Sequence, residues 1–385
     1  MSQQSESAWE SAPGGPNASL QDRIDKTRLF WRFIADELKP SPGRTLAATR
    51  IVIAVVATVI VSETLRIPFI AYSVYAIFFI ANDDGRLSLK LGILGLISAT
   101  VALAVATVVS ICFMNTPWFR LPVTLLLMAV ALWLSRASAL PVMVLIGRFV
   151  AIIFALYLSL ADTIFDPETL TESTLWLWSV VAVAVAITVL VSLIFTKLPS
   201  ASSPLEKKED KQPFLLEDAF TNPEYIRFAG RTILAITLCE VFMNAVAWPG
   251  IRTCMITCAA TALSAMKAQQ QKQVLRISGV CVGGLVGVGS VVYLVPHMDT
   301  IVSLLLLVAP CTFLFAWIAR SSPRLSYAGF QMALAFYIVL LPGFETSIDL
   351  TTIRDRFIGI LVGTTAMWIV FDHLWPSPEQ QTEAK

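Results

Sequence analysis

The sequence predicts an all-α, polytopic membrane protein: about twelve transmembrane helices in two parallel six-helix repeats, with both termini cytoplasmic. Three observations predict it. The chain is 56% hydrophobic and 14% charged, with a mean hydropathy of +0.72, whereas a soluble domain is roughly 25% charged. Arg50 opens an apolar stretch that breaks at Pro68, and Arg231 opens another that breaks at Pro249. Position n of the first copy thus corresponds to n + 181 of the second. Finally, lysine and arginine divide 22 to 5 between the alternate sides of the proposed helices, with Arg148 left inside a segment. The positive-inside bias puts the larger set in the cytoplasm.

The organisation follows in chain order. Residues 1–43 form a polar N-terminal segment without the pattern of a cleavable signal peptide. Within it, 20–39 reads as an amphipathic helix, with Leu20, Ile24, Trp31, Ile34 and Leu38 near one face, lying on the cytoplasmic leaflet. Residues 44–197 hold the first six apolar segments, near 48–65, 68–81, 91–114, 121–135, 139–160 and 174–196. A Pro-, Ser- and charge-rich stretch over 198–227 reads as a cytoplasmic linker. The second six segments fall within 228–375, near 229–247, 250–265, 277–295, 301–319, 325–341 and 356–375, and 376–385 is a cytoplasmic tail. Spanning a ~30 Å core takes about 20 residues. The second segment of each half is shorter than that and begins at a proline. Two outer loops, 161–173 and 342–352, are acidic and occupy matching places. Six helices per half is an even number, so the halves share one orientation and are related by a pseudo-twofold axis along the membrane normal.

Matched short or broken helices are where such repeats build substrate sites. In the eighth segment Thr253, Thr257 and Thr261 repeat at i,i+4 and lay hydroxyls along one face; they either bond within the bundle or line a polar path. Its counterpart offers Tyr72, Tyr75 and Phe79 along one side, a surface suited to a planar ligand. Arg148 and Glu240 are charges inside apolar segments, where each costs roughly 2.5–3.5 kcal/mol on insertion scales. Arg148 is a candidate for binding a carboxylate and Glu240 for carrying a proton; a structural pair between the two is the alternative. Arg252 lies at an outer end, where it meets headgroups or guards an exit. Gly279, Gly283 and Gly287, and Gly359 with Gly363, repeat at i,i+4 and read as packing faces.

The inventory narrows the function classes. No metalloprotease, nucleophile-elbow, Cys-x-x-Cys or phosphate-loop pattern is present, so no enzyme, cofactor or ATP-driven step is expected of this chain. The six cysteines all fall in apolar segments and only two histidines exist, so no metal site is expected. No basic stripe points to nucleic acid.

Residues 222–287 carry a resemblance. The run Asn222 to Tyr225, the turn Trp248-Pro249-Gly250-Ile251, the stretch Cys254 to Cys258, Lys272, and Arg276 to Gly284 with Gly279 and Gly283 together resemble the second membrane half of the fusaric acid resistance family. That family is related to aromatic acid exporters and multidrug-efflux subunits. The run from Arg44 to Gly85 fits the family's first half more loosely, and the resemblance covers most of residues 44–375. The resemblance implies a multi-pass component of a bacterial inner membrane that exports aromatic carboxylic acids or drugs, working with a periplasmic membrane-fusion adaptor and an outer-membrane channel. Many relatives are longer, so any function of their cytoplasmic parts is expected to be absent or to come from another chain. A homo-oligomer is compatible with this plan. Two rival expectations are a passive organic-anion channel and a non-transporting scaffold subunit.

Overall fold

The computed structural model describes residues 37–40, 43–82, 85–113, 116–161, 164, 166–195, 213–262, 269–322, 325–341 and 350–375. Among them are twelve α-helices: α1 Arg44–Thr64, α2 Ile70–Ile80, α3 Gly85–Phe113, α4 Pro117–Ala137, α5 Pro141–Ala161, α6 Pro167–Phe195, α7 Pro223–Ala245, α8 Thr253–Ala262, α9 Gln269–Gly289, α10 Ile301–Ala319, α11 Ser326–Leu340 and α12 Leu350–Trp368. A π-helical turn prolongs α9 through Leu294, and another prolongs α12 through Leu374. The amphipathic helix expected over 20–39 lies outside the described residues except for 37–39, as do 198–212 of the linker, 342–349 of the second acidic loop and the 376–385 tail.

Several helices begin earlier than their apolar stretches. Proline fits the first helical turn, where its missing N–H costs no bond, and polar caps close the ends. Asn222 accepts a hydrogen bond from the Glu224 N–H at 3.0 Å and Pro223 follows it, so α7 starts inside the stretch expected as linker. Asp166 accepts from the Thr169 N–H at 2.8 Å and its hydroxyl at 2.6 Å, and Pro167 follows. The residues PETLTES, expected in an outer loop, are therefore the first turns of α6. Thr300 and Ser303 cap α10 reciprocally.

The duplication runs through the whole described membrane region. Each helix C-terminus in the first six recurs in the second six at a numbering shift between 179 and 182, counting the π turns. The breaks themselves match position for position. Arg66 and its counterpart Ala247 both take the left-handed conformation, with φ of 54° and 50°. In the first copy the Ile67 N–H donates to Ser62 O at 2.8 Å, and in the second the Trp248 N–H donates to Met243 O at 3.0 Å. This left-handed C-terminal turn satisfies the last carbonyls of α1 and α7 and reverses the chain. The proline then opens the next segment.

Contacts obey the same symmetry. The pairs α1·α6, α2·α6, α3·α5, α3·α6 and α4·α5 recur as α7·α12, α8·α12, α9·α11, α9·α12 and α10·α11. Across the halves, α1 packs on α10 as α7 packs on α4, and α2 packs on α11 as α8 packs on α5. The halves therefore interlock. One apolar core joins α3, α4 and α5 to α7 and α8; the other joins α1 and α2 to α10 and α11. A cation–π contact joins α1 to α10, and another joins α4 to α7. Arg44 of α1 lies 4.8 Å from the Trp317 ring of α10, and Arg136 of α4 lies 4.4 Å from the Phe228 ring of α7. Trp317 is the repeat counterpart of Arg136, so the duplicated interface has exchanged its cation and its ring.

Among the described residues, eight helices are long and apolar enough to cross a membrane: α1, α3, α4, α5, α6, α9 with its extension, α10 and α12; α2 and α11 are shorter apolar helices. The chain is thus an all-α polytopic membrane protein, although eight rather than all twelve segments meet the length and apolarity a span requires. The ten residues of α8 are too few, and α7 carries Glu224, Arg227, Arg231 and Glu240. Exposed Ile93, Ile97, Val101, Val108 and Ile111 line one side of α3 as a lipid-facing stripe.

Candidate functional site

The repeat is broken where α2 and α8 face the centre. Tyr72, Tyr75, Ala76 and Phe79 of α2 have Thr253, Ile256, Thr257 and Ala260 of α8 as their repeat counterparts, and all eight border one chamber. Two aromatic groups in the first copy correspond to Thr253 and Ala260 in the second. The bulk that would fill the symmetric position is absent, and space opens beside α8. The chamber takes in about 960 Å³ including its open side. Its remaining wall comes from Phe149, Ile152, Ile153 and Leu156 of α5, Leu334 and Ile338 of α11, and residues of α3, α6 and α12. That wall is apolar apart from the Tyr72, Tyr75, Thr253 and Thr257 hydroxyls.

A second cavity of about 1150 Å³, open side included, adjoins the first at Tyr75, Phe79, Ile152 and Ala260. It lies where α2 and α10 end and α11 begins, and it adds Arg320, Ser326, Tyr327, Phe330 and Gln331. Between the two stands an aromatic cluster. Phe79 is 5.9 Å from Phe149 and 5.7 Å from Phe330, centroid to centroid, and Tyr75 is 4.9 Å from Phe330. Phe149 and Phe330 are themselves repeat counterparts, so the two copies converge on Phe79.

The residues singled out in the sequence divide into three groups. Tyr72, Tyr75, Thr253 and Thr257 meet in the chamber. Thr253 also donates to Arg356 O at 3.1 Å, and Thr261 turns back to Thr257 O, so the hydroxyl ladder is only partly turned to the chamber. Arg148 does not border the chamber. It is half-buried within electrostatic reach of Arg136, and no ion pair joins it to Glu240 among the described residues. Glu240 of α7, 6% exposed, lies within electrostatic reach of Cys239 and Cys254, and the Cys239 and Cys258 sulfurs are 3.6 Å apart. Asn244 Nδ2 donates to Glu240 Oε1 at 2.7 Å, and Oε2 is buried without a hydrogen bond.

The turn residues and glycines serve packing. Arg354 of α12 lies 5.2 Å from the Trp248 ring, and a methyl group on Gly250 would collide with the Asp355 carboxylate. Pro249 starts the short 3₁₀ turn that leads to α8. Arg252 is within electrostatic reach of Tyr72 and Arg356, at the end of the bundle where α8 and α12 begin. Added methyls on Gly279 and Gly283 would run into the Ala328 and Met332 carbonyls of α11, and one on Gly363 into the Cys254 carbonyl. Such contacts let helix backbones approach closely. The Arg276 side chain lies outside the described residues. Phe149, Phe330, Gln331 and Arg320 were missed by sequence reasoning. Carrying the repeat offset from Phe149 reaches Phe330 and finds that pair, whereas nothing in the local pattern singles out Gln331.

Comparison with known proteins places these features in context. Residues 219–384 match the fusaric acid resistance protein family. A stretch of 173 residues is 42% identical to a protein named multidrug resistance protein MdtO of Shigella flexneri. The identity is 41% to proteins of the same name in Escherichia coli K12 and O157:H7. That stretch covers 45% of this chain and 25% of each relative's length. No solved structure matches.

Proposed function

We propose that the chain, whose residues 219–384 match the fusaric acid resistance protein family, is an efflux transporter component of a bacterial inner membrane that exports aromatic or amphipathic organic acids. The observation that carries this is the chamber where aromatic rings of α2 face the Thr253 and Thr257 hydroxyls of α8. A planar ring would lie among Tyr72, Tyr75 and Phe79, with its polar group toward the hydroxyls. Among the described residues no charged side chain borders the chamber. A bare carboxylate in such surroundings is costly, which places the acidic group against the hydroxyls. Glu240 is the proposed proton carrier: it is buried in α7 and its Oε2 has no hydrogen-bond partner.

In this proposal all twelve helices make two parallel membrane halves with both termini in the cytoplasm, and the second cavity opens inward. Arg252 is placed near the outer exit. Arg148, away from the chamber, would attract anions at the inner surface. A periplasmic adaptor and an outer-membrane channel would complete the route. Uptake of labelled aromatic acids by inverted membrane vesicles tests the reading. Single-channel current without pH coupling would replace it with a passive anion channel. Unchanged resistance in Arg148→Ala and Glu240→Gln, alongside loss of resistance when the whole chain is removed, would replace it with a scaffold subunit.

A further inference from the structure

The neck between the two cavities is closed from one side only. Tyr75, Phe79, Ile152 and Ala260 border both spaces, so the spaces meet at these four residues. There the Phe79 ring sits between Phe149 at 5.9 Å and Phe330 at 5.7 Å. Those two rings are braced from behind. Phe330 packs on Tyr75 at 4.9 Å and on Phe78 at 6.4 Å, and Phe149 rests against Gly95. Phe79 is 41% exposed whereas both of its neighbours are half-buried, and exposed side chains change rotamer within nanoseconds. Its repeat counterpart is Ala260. A symmetric pair of rings would fill the neck. One ring facing one methyl group leaves a place into which the ring can turn.

We propose that Phe79 is a side-chain gate between the two cavities, and that the space beside Ala260 receives its ring when the gate opens. Phe149 and Phe330 are the fixed posts. Their contacts with the Phe79 ring hold the gate shut and re-form when the ring returns, because aromatic pairs at this separation attract beyond the area they bury. Duplication supplied the matched posts, and divergence at residues 79 and 260 supplied one moving ring and the room for it. The export reading decides what passes this gate; the gate itself rests on the neck.

The test follows a thiol placed beyond the gate. Val181 borders the chamber and not the second cavity. No natural cysteine lies between Arg148 and Lys197, so Val181→Cys is read in a peptide of its own. The full chain in lipid nanodiscs is treated with a permanently cationic methanethiosulfonate, which lipid excludes, and modification at residue 181 is timed by mass spectrometry. Phe79→Ala is expected to speed it by about five- to hundredfold, the combined weight of the two ring contacts that hold the gate shut. Phe79→Leu, which keeps apolar bulk without the ring, is expected to act in the same direction, so a misfolded alanine variant does not decide the outcome. Ala260→Val is expected to slow modification while Phe79 is present and to lose that effect beside Phe79→Ala, where no ring needs the space. Ser326→Cys, on the wall of the second cavity alone, is expected to react at one rate in every background. A rate at residue 181 that neither Phe79 variant changes overturns the proposal, since the chamber is then reached another way. An Ala260→Val effect that persists without the ring also overturns it, as simple narrowing of the neck. Gated labelling without movement of aromatic acids into vesicles would leave the gate standing and remove the export reading. Movement with ungated labelling would do the reverse.

Discussion

Replacing Ala260 by phenylalanine restores in the second copy the ring that Phe79 supplies in the first. Ala260 borders both cavities, so the new ring enters unfilled space. Burying a phenylalanine side chain contributes about 1.5–3 kcal/mol, whereas forcing one into a packed core costs about 1–3 kcal/mol. The two cases differ in sign and by several kcal/mol, well beyond the error of a thermal unfolding measurement in nanodiscs. Ala260→Phe is expected to hold or raise the unfolding midpoint while abolishing export of aromatic acids. A lowered midpoint would show that no room exists beside α8. A stable variant with undiminished export would show that the route lies elsewhere.

Other consequences are separable. Gly283→Ala drives a methyl into Met332 O, a backbone atom, so α9 must part from α11; a loss of about 1–3 kcal/mol is expected in thermal unfolding. Gly95→Ala meets only the Phe149 ring at 3.6 Å and is expected to be tolerated, with a helix-propensity gain of about 0.5–1 kcal/mol. Ala247→Gly removes left-handed strain of roughly 1–2 kcal/mol against an unfolded-state entropy loss of about 0.4–1 kcal/mol, so the midpoint should stay level or rise; a clear fall would mean the turn is not under strain. The Thr169 hydroxyl and N–H hold the Asp166 carboxyl below the usual carboxylate range. Its stabilising contribution is therefore complete above the ordinary carboxylate value and is lost as pH falls through the depressed one. The unfolding midpoint of Asp166→Ala should accordingly approach that of the wild type at the acid end of a pH series and fall below it near neutrality.

Much of the fold was legible because duplication multiplies weak signals. A proline closing an apolar run says little once. Its recurrence as Pro249 after Pro68 located both left-handed turns, and nearly the same offset holds for every helix C-terminus. What stayed hidden was the pairing across halves. Hydropathy is a property of single segments, and nothing in it says that α1 packs on α10 rather than inside its own half. Helix starts were read late because Asn222-Pro223 and Asp166-Pro167 begin helices with polar turns. For the chamber, the threonine spacing and the Tyr72 and Tyr75 stripe were visible, and both reach it. Arg148 stood out as a charge in an apolar run, but its reach to Arg136, at the end of the preceding helix α4, is a tertiary fact that the run does not carry. Gln331 is polar among apolar residues like many others; only its unbonded oxygen, a tertiary fact, distinguishes it.

The most direct test of export uses inside-out vesicles energised so that their lumen is acidic. Passive weak acids leave an acidic compartment, because protonation there returns the permeant form. Accumulation of a labelled aromatic acid in that lumen therefore requires coupled transport. The account predicts accumulation by the wild type that a protonophore collapses, and that Glu240→Gln uncouples from the pH difference without loss of folding. Label that never exceeds its passive distribution, with or without the adaptor, would contradict it.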